Sequence, residues 1–169
     1  DINRLQTITE RFSKIGSEPI LEKRDIIEET KSSFEYLQSR VSKQVIFDFR
    51  APEKPLYVLL NPTLHSWTIE NLVKNAIQSI PENQEIKSVV VEILKEDTNF
   101  VLKVSDNGIG ISTENAAYIF EPKFTTKNSG MGLGLAIIKK IIENYNGSIT
   151  FASEEEKGTL FTVKLPIKD

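Results

Sequence analysis

The sequence predicts an α+β protein, a two-layer sandwich with a mixed, mostly antiparallel sheet and helices on one face. Three observations carry this. Short β-rich runs come in neighbouring pairs around polar turns, helical segments fall between the pairs, and no regular βαβ alternation of the kind a parallel sheet needs is visible.

The elements follow in order. Residues 1–16 set Ile2, Leu5, Thr9, Phe12 and Gly16 at helical spacing, giving an amphipathic helix that needs a partner face, and "GSEP" ends it. That helix is either the tail of a neighbouring helical element or a helix docked on this chain's own core. Asp25 followed by Glu28 reads as an N-cap and N3 carboxylate, ahead of a helix in which Ile27, Phe34 and Val41 recur every seven residues. "QVIFDF" and "LYVLL" flank "RAPEKP" and predict a hairpin. Asn61-Pro62-Thr63 opens a helix whose apolar side is Leu64, Trp67, Leu72, Ala76 and Ile80, and Pro81 stops it. "SVVVEILKED" and "NFVLKVSD" form a hairpin turning near Asp97, and a short helix follows over residues 113–118. After a glycine loop, a helix runs to about Asn146, with Gly147 as its left-handed C-cap, and "SITFAS" and "GTLFTVKLP" close the chain as a hairpin.

Composition narrows the function. With 169 residues, 39% hydrophobic and 27% charged, the chain has the size and make-up of one soluble domain. No apolar run approaches the roughly 20 residues of a membrane span, and the first residues lack the pattern of a secretory signal. The absence of cysteine excludes disulfides, thiol nucleophiles and Cys-ligated zinc. A net charge of −3 offers no broad basic surface, so no nucleic-acid partner is expected.

Three stretches carry chemistry. In "SGMGLGL", residues 129–135, Gly130, Gly132 and Gly134 remove side chains ahead of an apolar helix whose first amides are unpaired, which suits a phosphate. The spacing fits neither a Rossmann turn, since Leu135 stands where a third glycine belongs, nor a P-loop; a flexible linker or close helix packing is the plainer reading. In "DNGIGIS", residues 106–112, Asp106 ends an apolar strand, where its carboxylate can accept from an amino group. Gly108 and Gly110 would let a flat ring lie on the backbone, as for a purine, and an ordinary Asp-Asn-Gly turn is the alternative. In "ENLVKNAIQSI", residues 70–80, Asn71 and Asn75 stand four apart on one helix face. They are either neutral oxygen ligands for Mg²⁺, which takes its remaining oxygens from water and phosphates, or two solvent-facing asparagines.

Residues 70–76, 106–110, "IFEPKFTTK" (119–127) and "SGMGLGL" together resemble, in order and spacing, the N, G1, F and G2 boxes of sensor histidine kinases of two-component systems. The resemblance covers residues 20–169 and implies their catalytic ATP-binding domain, with the Bergerat fold shared with gyrase, a heat-shock chaperone and mismatch-repair ATPases. It implies that Asp106 contacts the adenine amino group, with Thr159 assisting through water, that Asn75 is the principal Mg²⁺ ligand, and that Asn71 assists at metal or phosphates. Phe120, Phe124 and the segment to Gly130 correspond to an ATP lid, with Lys127, and after it Lys123, in reach of the phosphates. Leu133 lies within the second glycine box. Gln78 departs from the lysine or tyrosine many relatives place near the phosphates.

The same resemblance separates kinase from ATPase. ATPase relatives carry a glutamate four residues before the metal-binding asparagine, and that position here is Asn71, whose amide cannot act as a general base. Phosphoryl transfer to an external acceptor is therefore expected, the rivals being an ATPase or ATP-driven clamp and a degenerate, non-catalytic scaffold. The sole histidine, His65, is followed by Ser66 and lies in the asparagine helix, so it is expected in a surface or capping role, not as phosphoacceptor. Residues 1–19 resemble the end of a dimerisation hairpin whose acceptor histidine is not in this sequence. The implied partners are that dimerisation domain and a response-regulator receiver domain. The implied setting is cytoplasmic, on a membrane-anchored homodimeric parent.

Overall fold

The computed structural model describes residues 20–41, 43–121 and 131–167. Their elements are β1 (Glu22–Asp25), α1 (Ile26–Gln38), β2 (Val45–Arg50), β3 (Tyr57–Leu60), α2 (Pro62–Gln78), β4 (Lys87–Glu96), β5 (Asn99–Asp106), α3 (Thr113–Ala116), α4 (Met131–Asn144), β6 (Ser148–Glu154) and β7 (Gly158–Pro166). The helix expected over residues 1–16 lies outside the described residues.

Five strands form one sheet in the order β2-β4-β5-β7-β6. Only the β2–β4 pair is parallel; β4–β5, β5–β7 and β6–β7 are antiparallel. Both long hairpins expected from the sequence are present, and Asp97 turns the first with φ 53°. Val89, Val91 and Ile93 of β4 share one face with Phe100, Leu102 and Val104 of β5 and with Phe161 and Val163 of β7. All eight are buried, as the two-residue period requires where one face carries helices.

The hairpin expected around "RAPEKP" does not form. β2 joins the main sheet beside β4, while β3 pairs antiparallel with β1 in a separate two-stranded sheet. Pro52 and Pro55 remove amides from the link and favour extended backbone before them, so the chain leaves the sheet. Asp25 fixes its destination: one carboxylate oxygen accepts from Ile27 N at 3.1 Å, capping α1, and from Leu56 N at 3.0 Å, seating the start of β3 beside β1. The seven-residue seam of α1 is also displaced. Its buried positions are Ile26, Thr30, Phe34 and Leu37, so Phe34 was placed correctly while Ile27 and Val41 lie at the margin. Phe34 packs edge-on to Phe47, with centroids 5.3 Å apart, and against Phe49, joining α1 to β2.

α2 is capped as expected, Asn61 accepting from Leu64 N at 3.0 Å with Pro62 in the first turn. Its apolar side, Leu64, Trp67, Leu72 and Ala76, is buried, as is Ile80 beyond its end. α4 ends differently from expectation. The left-handed residue is Asn146, with φ 62°, and Gly147 follows it. Asn146 N bonds Glu143 O and Gly147 N bonds Ile142 O, each at 3.0 Å, the paired closure of a Schellman cap. Gly147 is needed for a different reason: a Cβ there would stand 2.5 Å from Lys164 O and from Leu165 Cδ2.

His65 is neither at the surface nor a cap. It is buried in α2, and its Nε2 lies 2.8 Å from Thr30 Oγ1 of α1, so it ties the two helices together inside the core. Burial lowers its pKa from 6.5 to about 4, because a desolvated imidazolium is unfavourable. Between those values the unfolded chain binds a proton that the folded chain refuses. Stability is therefore full above about pH 6.5 and falls as pH drops toward 4, by about 3 kcal/mol at one pKa unit per 1.4 kcal/mol. Urea melts across that range should show the decline, and His65→Gln should remove this part of the slope; an unchanged slope in the variant would show that other groups cause it.

Candidate functional site

The site grows from one end of the sheet's core face. Registered pairs place Ser153, Thr159, Asp106 and Val89 in one row across β6, β7, β5 and β4. By the strand period this row shares the face of Val104 and Phe161, so the apolar core face ends in a polar margin beside the end of α2. Thr159 is buried and Asp106 half-buried. Ser153 Oγ donates to Gly158 O at 2.9 Å and accepts from Ile111 N at 2.7 Å. Its one proton is thus committed, so Thr159 Oγ1 is the donor in their 2.9 Å contact and keeps its lone pairs as acceptors.

Asp106 also organises the loop after it. Its Oδ1 accepts from Gly108 N at 2.8 Å. Gly108 packs directly on the carbonyl of Ser79, the C-cap of α2, where a Cβ would also come 2.5 Å from Ser79 Oγ, and Ile109 N donates to Ser79 O at 3.0 Å. Gly110 takes φ 77° against Glu154 O, and Gly158, φ 122°, packs on Asp106 O. Close packing against the protein itself thus accounts for Gly108 and Gly110 without a ring on the backbone. Asn107 secures the other side: its Oδ1 accepts from Ser88 N and its Nδ2 donates to Ile86 O, each at 2.9 Å, while Gln84 Nε2 donates to Asn107 O at 2.7 Å. Sequence reading missed Ser79, Gln84, Asn107 and Ser153 as supports; the Ser-Ile-Pro that ends α2 and the Asn-Gly pair were the available signals.

Asn71 and Asn75 lie one turn apart on α2 and are buried, so they are not solvent-facing. Asn71 Nδ2 donates to Trp67 O at 2.9 Å, which leaves its Oδ1 turned toward α4. There Gly134 meets it: a Cβ at 134 would stand 2.7 Å from Asn71 Oδ1. Gly132, Leu133 and Gly134 lie within the first turn of α4, which begins at Met131, and not in a loop ahead of it. Glycines in that turn leave its backbone uncovered by their own side chains. Phe120 packs against Phe151 and Phe161, with centroids 6.0 and 6.3 Å away. Lys123, Phe124, Lys127 and Gly130 lie outside the described residues.

No group of three or more His, Asp or Glu side chains that could hold a metal occurs among the described residues. The buried amide oxygens of Asn71 and Asn75 fit a hard cation that brings water and phosphate oxygens with it, and would not by themselves hold one.

The comparisons agree with this geometry. Residues 64–169 match the model of the histidine kinase-, DNA gyrase B-, and HSP90-like ATPase family, and the chain belongs to that family. It is similar to sporulation kinase D of Bacillus subtilis, 38% identical over 68% of this chain and 22% of that protein. It is also similar to the sensor histidine kinase ZraS of Escherichia coli K12, 35% identical over 77% of this chain and 27% of that protein. The chain thus spans about a quarter of the length of these relatives. Among solved structures, the catalytic domain of histidine kinase ThkA superposes with a TM-score of 0.77 at 28% identity, covering 87% of this chain and 95% of that one. Fold, boxes and relatives together make the chain an ATP-binding catalytic domain of the histidine-kinase type.

Two glycine substitutions separate backbone from side-chain contact. Gly108→Ala drives a Cβ into the Ser79 backbone and should cost about 1–3 kcal/mol. Gly134→Ala pushes Asn71 off Trp67 O, a loss of about 1 kcal/mol, and gains a similar amount in helix propensity, so its stability should stay within about 1 kcal/mol of the parent. Urea denaturation distinguishes the two, and equal losses would contradict this account of the contacts.

Proposed function

We propose that this domain holds Mg²⁺-ATP between the Asp106 margin and the α2–α4 junction, and presents the γ-phosphoryl group to a histidine on a separate dimerisation domain. The observation that carries the proposal is the meeting of the buried Asn71 carboxamide, one turn before the equally buried Asn75, with Gly134 in the first turn of α4. Asp106 would accept from the adenine amino group, with Thr159 beside it. Asn75, assisted by Asn71, would supply metal ligands, and the amides at Gly132, Leu133 and Gly134 would receive phosphate oxygens. A cation held there would neutralise phosphate charge. Lys127 and Lys123 are placed near the phosphates, and Phe124 through Gly130 in a lid, on the family resemblance alone.

Asn71 supports transfer over hydrolysis. Its amide nitrogen is committed to Trp67 O, and an amide oxygen has no useful basicity near neutral pH, so this position cannot activate water. The residues therefore bind and orient, and catalysis comes from positioning and charge neutralisation. Residues 1–19 would be the end of the dimerisation hairpin and residues 20–169 the catalytic domain. A response-regulator aspartate would then receive the phosphoryl group, in a cytoplasmic setting on a membrane-anchored homodimeric parent. Among the described residues no helix is long and apolar enough to cross a membrane.

Phosphotransfer from labelled ATP to a supplied dimerisation domain tests the central step, and steady phosphate release by the chain alone would instead support an ATPase. Asp106→Asn replaces an acceptor-only carboxylate with a group that can present a donor, so the preference for ATP over GTP should fall about 10- to 100-fold, the worth of a charged hydrogen bond. Calorimetry with both nucleotides reads this, and an unchanged preference would remove Asp106 from adenine recognition. Asn75→Ala should weaken Mg²⁺-ATP about 10-fold or more while affecting metal-free ATP less; equal loss of both would argue against metal ligation.

A further inference from the structure

Every hydrogen-bonding position of the Ser153 hydroxyl is used. Ser153 of β6 pairs with Thr159 of β7, and Thr159 with Asp106 of β5, so Thr159 stands between the other two on one face of the sheet. A serine hydroxyl has one proton and two lone pairs. The proton goes to Gly158 O at 2.9 Å, one lone pair accepts from Ile111 N at 2.7 Å, and the other meets Thr159 Oγ1 at 2.9 Å. Two hydroxyl oxygens at that distance repel unless a proton lies between them, and only Thr159 has one to give.

The partners of Ser153 are themselves held. Gly158, with φ 122°, packs on Asp106 O, so the carbonyl that takes the serine proton is seated on the strand end that carries Asp106. Ile111 N belongs to the end of the loop after Asp106, which is fastened through Ile109 N to Ser79 O and through Ile109 O to Glu156 N.

The Thr159 proton therefore points along the row toward Ser153 and away from Asp106. On the Asp106 side Thr159 has lone pairs to offer, and a carboxylate likewise only accepts. An N–H laid against these two side chains finds acceptors, whereas a carbonyl meets lone pairs with no proton to share. Thr159 is buried and Asp106 half-buried, where an unmatched polar contact is costly. Purines differ in this respect at position 6, which is an amino donor in adenine and a carbonyl acceptor in guanine and hypoxanthine.

We propose that Ser153 is a positioning residue that sets base selectivity: by keeping the Thr159 proton on its own side, it leaves Thr159 facing the base edge as an acceptor and so favours a 6-amino over a 6-oxo purine. The inference rests on the nucleotide site proposed above and adds the group that orients Thr159. Ser153 acts through Thr159 and does not itself touch the base.

Calorimetry of the whole chain with Mg²⁺-ATP and with the magnesium complex of inosine triphosphate tests the selectivity. Ser153→Ala removes the acceptor, so Thr159 can turn its proton to a 6-oxo group, and the preference for ATP should fall about 3- to 10-fold, the worth of one hydrogen bond. Ser153→Thr keeps a hydroxyl at a strand position that suits a β-branched residue and should retain the parent preference. A loop loosened by loss of the Ile111 bond would weaken both nucleotides together. An unchanged ratio in Ser153→Ala would therefore overturn the proposal, as would an equal fall in Ser153→Thr.

The proton direction has a test without nucleotide. NMR of the unliganded chain should show the Thr159 hydroxyl proton in slow exchange with water and close to the Ser153 side chain, and Ser153→Ala should release it to fast exchange. A freely exchanging hydroxyl in the parent would overturn the orientation. If the parent binds neither nucleotide, the nucleotide reading fails and base selectivity with it, while the hydroxyl spectrum still decides how Ser153 orients Thr159.

Discussion

The close approach of α4 to α2 at Gly134 and Asn71 governs the rest of the molecule. Any side chain at 134 would occupy the space beside Asn71 Oδ1, and any other rotamer of Asn71 would forfeit its bond to Trp67 O. The two helices run antiparallel through this contact. The first turn of α4 lies beside the carboxamides of α2, and its last turn lies beside His65 and Thr68. Buried asparagines are costly unless engaged, so a helix interrupted by two of them on its inner face is built around what those groups meet.

The corner at Asp106 serves structure and chemistry at once. Its carboxylate holds Gly108, its carbonyl packs on Gly158, and its strand position pairs with Thr159. The loop after it is fastened to the end of α2 through Ser79, to the β6–β7 turn through Glu154 and Glu156, and to the segment before β4 through Asn107. Backbone contacts of this kind hold a recognition group in place before a ligand arrives, which reduces the ordering that binding would otherwise require.

The sheet's core face thus has a polar margin at one end, while Leu72, Ile138, Val91 and Val104 are buried in its middle. A packed middle is stiff.

Much of this was legible in the sequence, because the relevant signals are local. The N-caps Asp25 and Asn61, the two long hairpins, the apolar side of α2 and the four boxes depend on spacing within one element or turn, and periods of 2.0 and 3.6 fix them. What the sequence left undecided depended on which element meets which. "QVIFDF" and "LYVLL" have the composition of a hairpin, and only the better partners β4 and β1, with Asp25 bonding Leu56 N, send them to different sheets. His65 looks like a surface residue until α1 covers it, and glycines 108 and 110 look like space for a ligand until Ser79 and Glu154 fill it. A lone pattern records what a segment prefers; burial and contact are properties of two surfaces together, and those were decided only when the chain folded.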